Sequence, residues 1–173
     1  MLGTILLVAA VVLAVIGLLS LAFVLSFRMK YRPVLDRVRR LNRWFTNPRQ
    51  LRTAGRPGTS ASVVHHVGRT SGRSYRTPVA VAPTEDGLVI ALPYGRQADW
   101  VRNVVAAGGA TIEHEGRSVR VDRPEFVPMA EANPRFPKGS QRTHRRFGVK
   151  DFLALRASAV TAVTAGAVDR ARR

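Results

Sequence analysis

The 173-residue chain carries 28 lysines and arginines against 11 acidic residues, a formal charge of +17, and it has no cysteine. Without cysteine there are no disulfides, thiolate nucleophiles or cysteine metal sites. So large an excess of cations implies a polyanionic partner: a membrane surface, a nucleic acid, or a small ligand bearing phosphate and carboxylate groups.

The first element is apolar throughout. Residues 2 to 27, LGTILLVAAVVLAVIGLLSLAFVLSF, hold no charged side chain. As a helix this run is roughly 39 Å long against a hydrocarbon thickness of roughly 30 Å, so it spans a bilayer with tilt to spare. A secretory signal peptide or a buried core helix are the alternatives, and Ser20-Leu21-Ala22 imitates a cleavage site, but the run is too long for a core helix and no cation precedes it. Residues 1–27 therefore read as an uncleaved transmembrane anchor. Between residues 28 and 56 lie ten lysines and arginines and one acid, Asp36. Short cationic segments stay on the cytoplasmic side, which predicts a single-pass membrane protein with its N-terminus outside and the remainder cytoplasmic.

Residues 28–61 read as a basic juxtamembrane helix and linker. Val34, Leu35, Val38, Leu41 and Phe45 recur near a 3.6-residue period over 28–46, with arginines on the other face, which suits contact with the membrane or with the domain. Pro48 is expected to end this helix, and TAGRPGTSA, residues 53–61, to form a flexible linker. Beyond residue 27 the chain has 146 of its 173 residues, the size of a single domain with one core, and the domain proper spans 62–156. Val63, Val64 and Val67 predict a first strand, broken at Gly68. YRTPVAVA, 75–82, predicts a second, with Pro78 at an edge or bulge because it cannot donate to a ladder. After the turn at Thr84–Gly87, Leu88–Leu92 makes a fully apolar third strand.

Asp99 is expected to cap a helix over Trp100–Ala107, whose Val101, Val104 and Val105 share a face and whose end is marked by Gly108-Gly109. A hairpin follows, Thr111–Glu115 and Arg117–Asp122, joined at Gly116. Residues 128–147, with three prolines and many arginines, read as an irregular lid or surface loop. Asp151–Arg173 reads as a helix aligning Phe152, Leu155, Val160 and Val163. Its end, 157–173, is a C-terminal tail included in that helix, whose uncharged stretch is too short to cross a bilayer. Several short strands with one inserted helix make the fold α+β and mainly β, a small barrel or α+β sheet, and not a doubly wound one. His65 and His66, adjacent on a strand, face opposite ways. Glu113-His114-Glu115 lacks metal-site spacing, so no metal is expected.

The segment with the most chemistry is Gly68-Arg69-Thr70-Ser71-Gly72-Arg73-Ser74-Tyr75-Arg76-Thr77-Pro78. Its glycines let backbone N–H groups converge, its hydroxyls donate, and Arg69, Arg73 and Arg76 can fork onto phosphate or carboxylate. Crowding three permanent cations costs free energy unless an anion comes to them. A solvated basic hairpin tip is the competing reading. No Walker pattern is present.

This run, followed by Tyr94-Gly95-Arg96 and then Asp99-Trp100-Val101-Arg102-Asn103, resembles the deazaflavin (F420)-dependent nitroreductase and quinone reductase family of actinobacteria. The likeness combines GRxSGxxxRTP with WxxN. It continues through Ala106-Ala107-Gly108-Gly109, the strand Arg117–Val121 with Pro124, and Phe147–Leu153. It implies a split β-barrel, FMN-binding-like in type, behind the N-terminal transmembrane helix. It also implies coenzyme F420 as the cofactor, with hydride passing from the reduced form to an organic acceptor such as a quinone or nitro compound. By this resemblance Gly68, Arg69, Thr70, Ser71, Gly72, Arg73, Arg76 and Pro78 would grip the anionic tail of the coenzyme. Tyr94, Gly95, Arg96 and Ala98 would line its ring, with Trp100 and Asn103 bracing that wall. Where some relatives place Ser-Lys-Gly near the ring, this chain has Leu92-Pro93-Tyr94-Gly95, which leaves the acceptor open.

A hydride carrier brings its own chemistry, so no nucleophile or triad is needed. Tyr94 or a water would protonate the reduced acceptor, and the anchor would let a membrane quinone reach the site from the bilayer. A homodimer is compatible with this reading. The ordinary roles of Trp100 and Asn103 are helix-to-sheet packing and satisfaction of buried backbone groups. Two other functions compete. One is a barrel of the same type using FMN, whose shorter tail needs fewer arginines. The other is a membrane-tethered module for nucleic acid or anionic lipid; sparse aromatics, not interleaved with the basic run, argue against nucleic acid.

Overall fold

The computed structural model describes residues 1–158. Helix α1 runs from Leu2 to Arg28. Among the described residues it is the one helix with the length and composition to cross a membrane. Its last turn docks on the domain: Phe27 is buried against Phe147 and Tyr94, with ring centroids 5.5 and 6.0 Å apart. The Arg28 guanidinium donates to the Arg145 carbonyl at 3.1 Å, and the Lys30 ammonium to that of Pro93 at 3.3 Å.

The chain turns at Lys30, which takes a φ of 54°, and re-enters helix as α2, Arg32–Leu41. A π-helical turn, Asn42–Thr46, carries it into α3, Asn47–Gln50. Pro48 therefore does not end the helix. It sits in the first turn of α3, where its missing N–H is no loss, and the wider π turn ahead of it accommodates its ring. Leu35 is buried, but Leu41 and Phe45 are exposed, so the apolar stripe read from the sequence is buried only along its first half. Residues 53–61 are not a free linker either. Ala54 is buried, the Gly55 N–H donates to the Ala61 carbonyl at 2.7 Å, and the Gly116 N–H donates to the Gly55 carbonyl at 2.6 Å. Glu115 completes the clamp by accepting from the Gly58 N–H at 3.0 Å.

Seven antiparallel strands follow: β1 Ser62–Val67, β2 Ser74–Val79, β3 Val81–Pro83, β4 Gly87–Ala91, β5 Gly109–His114, β6 Arg117–Pro128 and β7 Asp151–Ala157. Their order is β2-β1-β5-β6-β7-β4-β3. The two edge strands are consecutive in the chain, separated by Ala80 alone, so the sheet must curl until its edges approach: a half-barrel, mainly β. Pro78 lies on the edge strand β2, as its lack of a donor requires. β5 and β6 meet in a two-residue turn in which both Glu115 (φ 50°) and Gly116 (φ 74°) are left-handed, the geometry that matches the twist of a hairpin.

Helix α4, Asp99–Ala107, lies against β1 and β5 and ends at Gly108, whose φ of 69° is the left-handed cap. Its N-cap is Ala98, so Asp99 is a first-turn residue with its carboxylate free for other partners. Val101 and Val104 of α4 join Val64, Ile90, Leu92, Ile112, Val121, Leu153 and Leu155 in the main core. A second core forms on the other face of β4 and β7 from Val89, Ala91, Phe152, Val127, Ala132, Phe136 and Val149. Two apolar faces explain why β4 reads as an unbroken apolar run.

This second core corrects two expectations. Residues 128–147 are not an irregular lid: Met129–Ala132 is a short helix α5, Asn133–Arg135 a 3₁₀ turn, and Lys138–Arg146 a helix α6. They cover the outer face of the sheet through Ala132, Phe136 and His144, whose Nδ1 is 2.8 Å from the Asn133 side-chain oxygen. Residues 151–157 are the strand β7, paired on both sides, and not the start of a helix. The rest of that expected helix, and the tail beyond 158, lie outside the described residues.

Candidate functional site

The turn from Gly68 to Arg73 closes on itself. The Gly68 N–H donates to the Arg73 carbonyl and the Gly72 N–H to that of Gly68, both at 2.8 Å. Gly68 admits no side chain, since a Cβ there would strike Ser71 Oγ and lie 2.8 Å from the Tyr75 ring. Gly72 takes a φ of 65°. Ser71 Oγ is 3.2 Å from the Tyr75 hydroxyl, which ties the turn to β2.

Asn103 on α4 holds this turn. Its side-chain oxygen accepts from the Arg69 backbone N–H at 3.2 Å and from Arg69 Nη1 at 2.9 Å. Its amide nitrogen donates to His66 Nδ1 at 3.1 Å, so that ring nitrogen is unprotonated, and Nε2 carries the proton toward Thr77 Oγ1 at 3.1 Å. Arg69 is further steadied by Asp99 at 3.5 Å, which also takes Arg43 at 3.6 Å. The result is a guanidinium fixed by a side chain of another element instead of one waving on a hairpin tip.

Burial, and secondarily the neighbouring His65, push the His66 pKa down to about 4, with Asp99 opposing. An unfolded chain takes up this proton near 6.5, its ordinary value. The folded state refuses it until about 4, so stability is expected to decline as the pH falls through that window. Buried His144, also held below its ordinary value, acts in the same direction. Thermal unfolding midpoints of the wild type and His66→Gln measured across this range should converge at low pH; parallel profiles would remove His66 as a cause.

The second half of the site is the segment from Leu92 to Ala98. Gly95 turns with a φ of 74° and donates to the Leu92 carbonyl at 2.9 Å. Arg96 reaches Asp151 Oδ1 through Nε and Nη2, each at 2.8 Å, and lays its guanidinium 4.6 Å from the Phe126 ring centroid. Tyr94 is held from the helical side. Asn42 donates its side-chain amide to the Tyr94 hydroxyl, Arg39 donates to the Tyr94 carbonyl at 2.9 Å, and the Arg39 guanidinium lies 5.8 Å from the ring. Burial raises the Tyr94 pKa, against the opposing pull of Asn42 and Arg39. Its phenol therefore stays protonated.

Two cavities flank this segment. One of about 480 Å³ is walled by Lys30, Leu35, Arg39, Tyr94, Gly95 and Asp151; the other, about 370 Å³, by Arg69, Arg102, Val105, Ala106 and Phe126. Arg96 and Gln97 line both. Each volume is in the range of small-molecule sites.

No protein-family model matches the chain, and a search of curated proteins found no match. Among solved structures, a protein of unknown function from Agrobacterium tumefaciens strain C58 is 12% identical with a TM-score of 0.44 over 60% of this chain. The match spans half of that protein's length, 50%. An F420 reductase is 14% identical with a TM-score of 0.42, over 62% of this chain and 92% of the other.

The residues singled out in the sequence are only partly brought together. Arg69, Arg96, Tyr94, Gly95 and Asn103 gather around the two cavities or directly support them. Ala98 is the buried N-cap of α4, and Trp100 packs on the main core from the same helix. Arg73 and Thr70 are exposed on the turn. Arg76 goes elsewhere. It pairs across β1 with His65 and reaches Glu113 at 3.8 Å, on the sheet face opposite His66 and Asn103. The sequence assigns no site role to His66, Asn42, Arg39, Arg102 or Asp151. The alternation of β1 places His66 beside Val64 on the inward face, but Asn42 meets Tyr94 across a separation of 52 residues, which no local pattern announces.

Proposed function

We infer that this protein is a membrane-anchored oxidoreductase that binds the reduced deazaflavin coenzyme F420 and passes hydride to an organic acceptor, a quinone or nitro compound. One observation carries the reading: an arginine-lined groove and a cavity walled by Tyr94 meet at Arg96 and Gln97. The coenzyme has the same two parts, a long multiply negative tail and a flat ring. The residues present fit it in charge and in kind. When bound, the coenzyme supplies the hydride, so the protein needs no nucleophile.

The chain's own work is binding, orientation and a proton. Arg69, fixed by Asn103, and Arg102 neutralise the tail. Arg96, held by Asp151 and Phe126, marks the passage between groove and cavity. Because Asn42 donates to the Tyr94 oxygen, the phenolic proton is left to be given to the reduced acceptor. With α1 across the bilayer, the N-terminus outside and the half-barrel, a split barrel in this reading, in the cytoplasm, Phe27 joins lipid to Tyr94. A lipid-soluble acceptor then approaches from the membrane.

The test is turnover by the full chain in vesicles, offering reduced F420 or reduced FMN with a lipophilic quinone or a soluble analogue. Oxidation of the deazaflavin alone, faster with the lipophilic acceptor, is the expected result. Turnover of FMN in its place, or of neither, would overturn the reading.

A further inference from the structure

Outside residues 1–28, the most exposed large apolar side chains among the described residues all fall between 29 and 45: Met29, Tyr31, Leu41, Trp44 and Phe45. Trp44 is 75% exposed, and Leu41 and Phe45 each 56%. They lie on the side of α2 and its π turn turned away from buried Leu35 and from Asn42, the side that meets the domain. Arg37 and Arg40 are exposed beside them, and among the described residues no carboxylate pairs with either.

A solvated helix has no use for an indole, a phenyl ring and a leucine on its outer face. Their clustering with unpaired arginines, on the helix that follows an apolar one, is the pattern of an element lying in the plane of a membrane interface. Tryptophan gains there because its ring is apolar and its N–H polar, and arginines near anionic headgroups add attraction.

We propose that the outer face of α2 and the π turn is seated in the headgroup layer of an anionic bilayer, with Trp44 and Phe45 inserted below the phosphates and Arg37 and Arg40 beside them. The inference stands apart from the identity of any coenzyme. The opposite side of α2 supplies Leu35, Asp36 and Arg39 to the larger cavity, so this seating brings that cavity to membrane level.

The experiment uses the full chain reconstituted in phosphatidylcholine vesicles with and without phosphatidylglycerol, their acyl chains brominated close to the headgroup. The Trp44 emission is obtained as the difference between the wild type and Trp44→Phe, which retains Trp100. The expected result is quenching of that component by about twofold or more by brominated lipid, with protection from aqueous acrylamide. Arg37→Ala with Arg40→Ala should reduce the dependence on phosphatidylglycerol. Free quenching by acrylamide with no effect of bromine would overturn the proposal, as would failure of the chain to enter vesicles. Protection that depends on protein concentration and ignores brominated lipid would overturn it in favour of a second copy on this face.

Discussion

Arg69→Glu is expected to weaken binding of the deazaflavin coenzyme about a hundredfold or more. A charge-assisted hydrogen bond to an anion contributes about 1.5–3 kcal/mol, and each 1.4 kcal/mol is about tenfold in affinity. The substituted carboxylate removes that bond and adds repulsion at the same place. It also faces Asp99, now 3.5 Å from the guanidinium, and leaves the Asn103 oxygen with one donor in place of two. Arg69→Lys should fall between, because an ammonium keeps the charge but cannot bond Asn103 and an anion with one planar fork. Arg117→Glu, exposed at the β5–β6 turn, carries the same change in net charge and should shift affinity by less than about twofold at moderate salt. Deazaflavin fluorescence titrations of the three variants decide the matter. Equal losses for Arg69→Glu and Arg117→Glu would mean that only overall charge matters.

Phe152→Ala is expected to cost about 3–5 kcal/mol of stability, the range for a fully buried aromatic ring replaced by a methyl group. Phe152 has no exposed surface and packs against Phe136 and His144, with centroids 5.7 and 5.4 Å away. It stands opposite Ala91 on one neighbouring strand and Val127 on the other. The cavity left cannot close, because its walls are two sheet neighbours and a helix pinned through His144 to Asn133. The loss also reaches the site, since the preceding residue, Asp151, holds Arg96. Val67→Ala, at a half-exposed position on β1, should change stability by less than about 0.5 kcal/mol. Thermal unfolding in detergent followed by near-ultraviolet circular dichroism compares the two; a similar midpoint for both would show the second core to be loosely packed.

Much of the half-barrel is legible in the chain because its punctuation is local. β1 and β4 follow from short apolar runs, and α4 and the β5–β6 hairpin from the valine stripe, Gly108 and Gly116. β7 reads as helix because Phe152, Leu153 and Leu155 serve two cores, and a strand buried on both faces loses the two-residue period that identifies it. α6, KGSQRTHRR, is so polar that its one buried member is a histidine, whose neutral form is stabilised only by the distant contacts of the folded state. The clamp on residues 53–61 is made by Glu115 and Gly116, which nothing near Pro57 foretells.

The site divides in the same way. The convergence of glycines and arginines at 68–73 is a property of the turn itself, and the structure places it beside Asn103 as a supported cationic corner. Arg76 is three residues from Arg73, yet the alternation of β2 turns it to the other face, where Glu113 takes it. Spacing along a strand therefore told which arginines are near in sequence but not which share a ligand. Tyr94 was legible as a candidate, whereas its clamping by Asn42 and Arg39 depends on how the juxtamembrane helix folds back.

The cationic corner at Arg69 and Arg102, opening toward Tyr94, is proposed to receive a flat redox carrier with a long negative tail. Equilibrium titration of the full chain in detergent with F420, FMN and duplex DNA, each at low and high salt, tests it most directly. Saturable F420 binding that weakens as salt rises, with FMN about tenfold weaker or worse, is the predicted result. FMN binding as tightly as F420, or DNA binding with no response to F420, would contradict it.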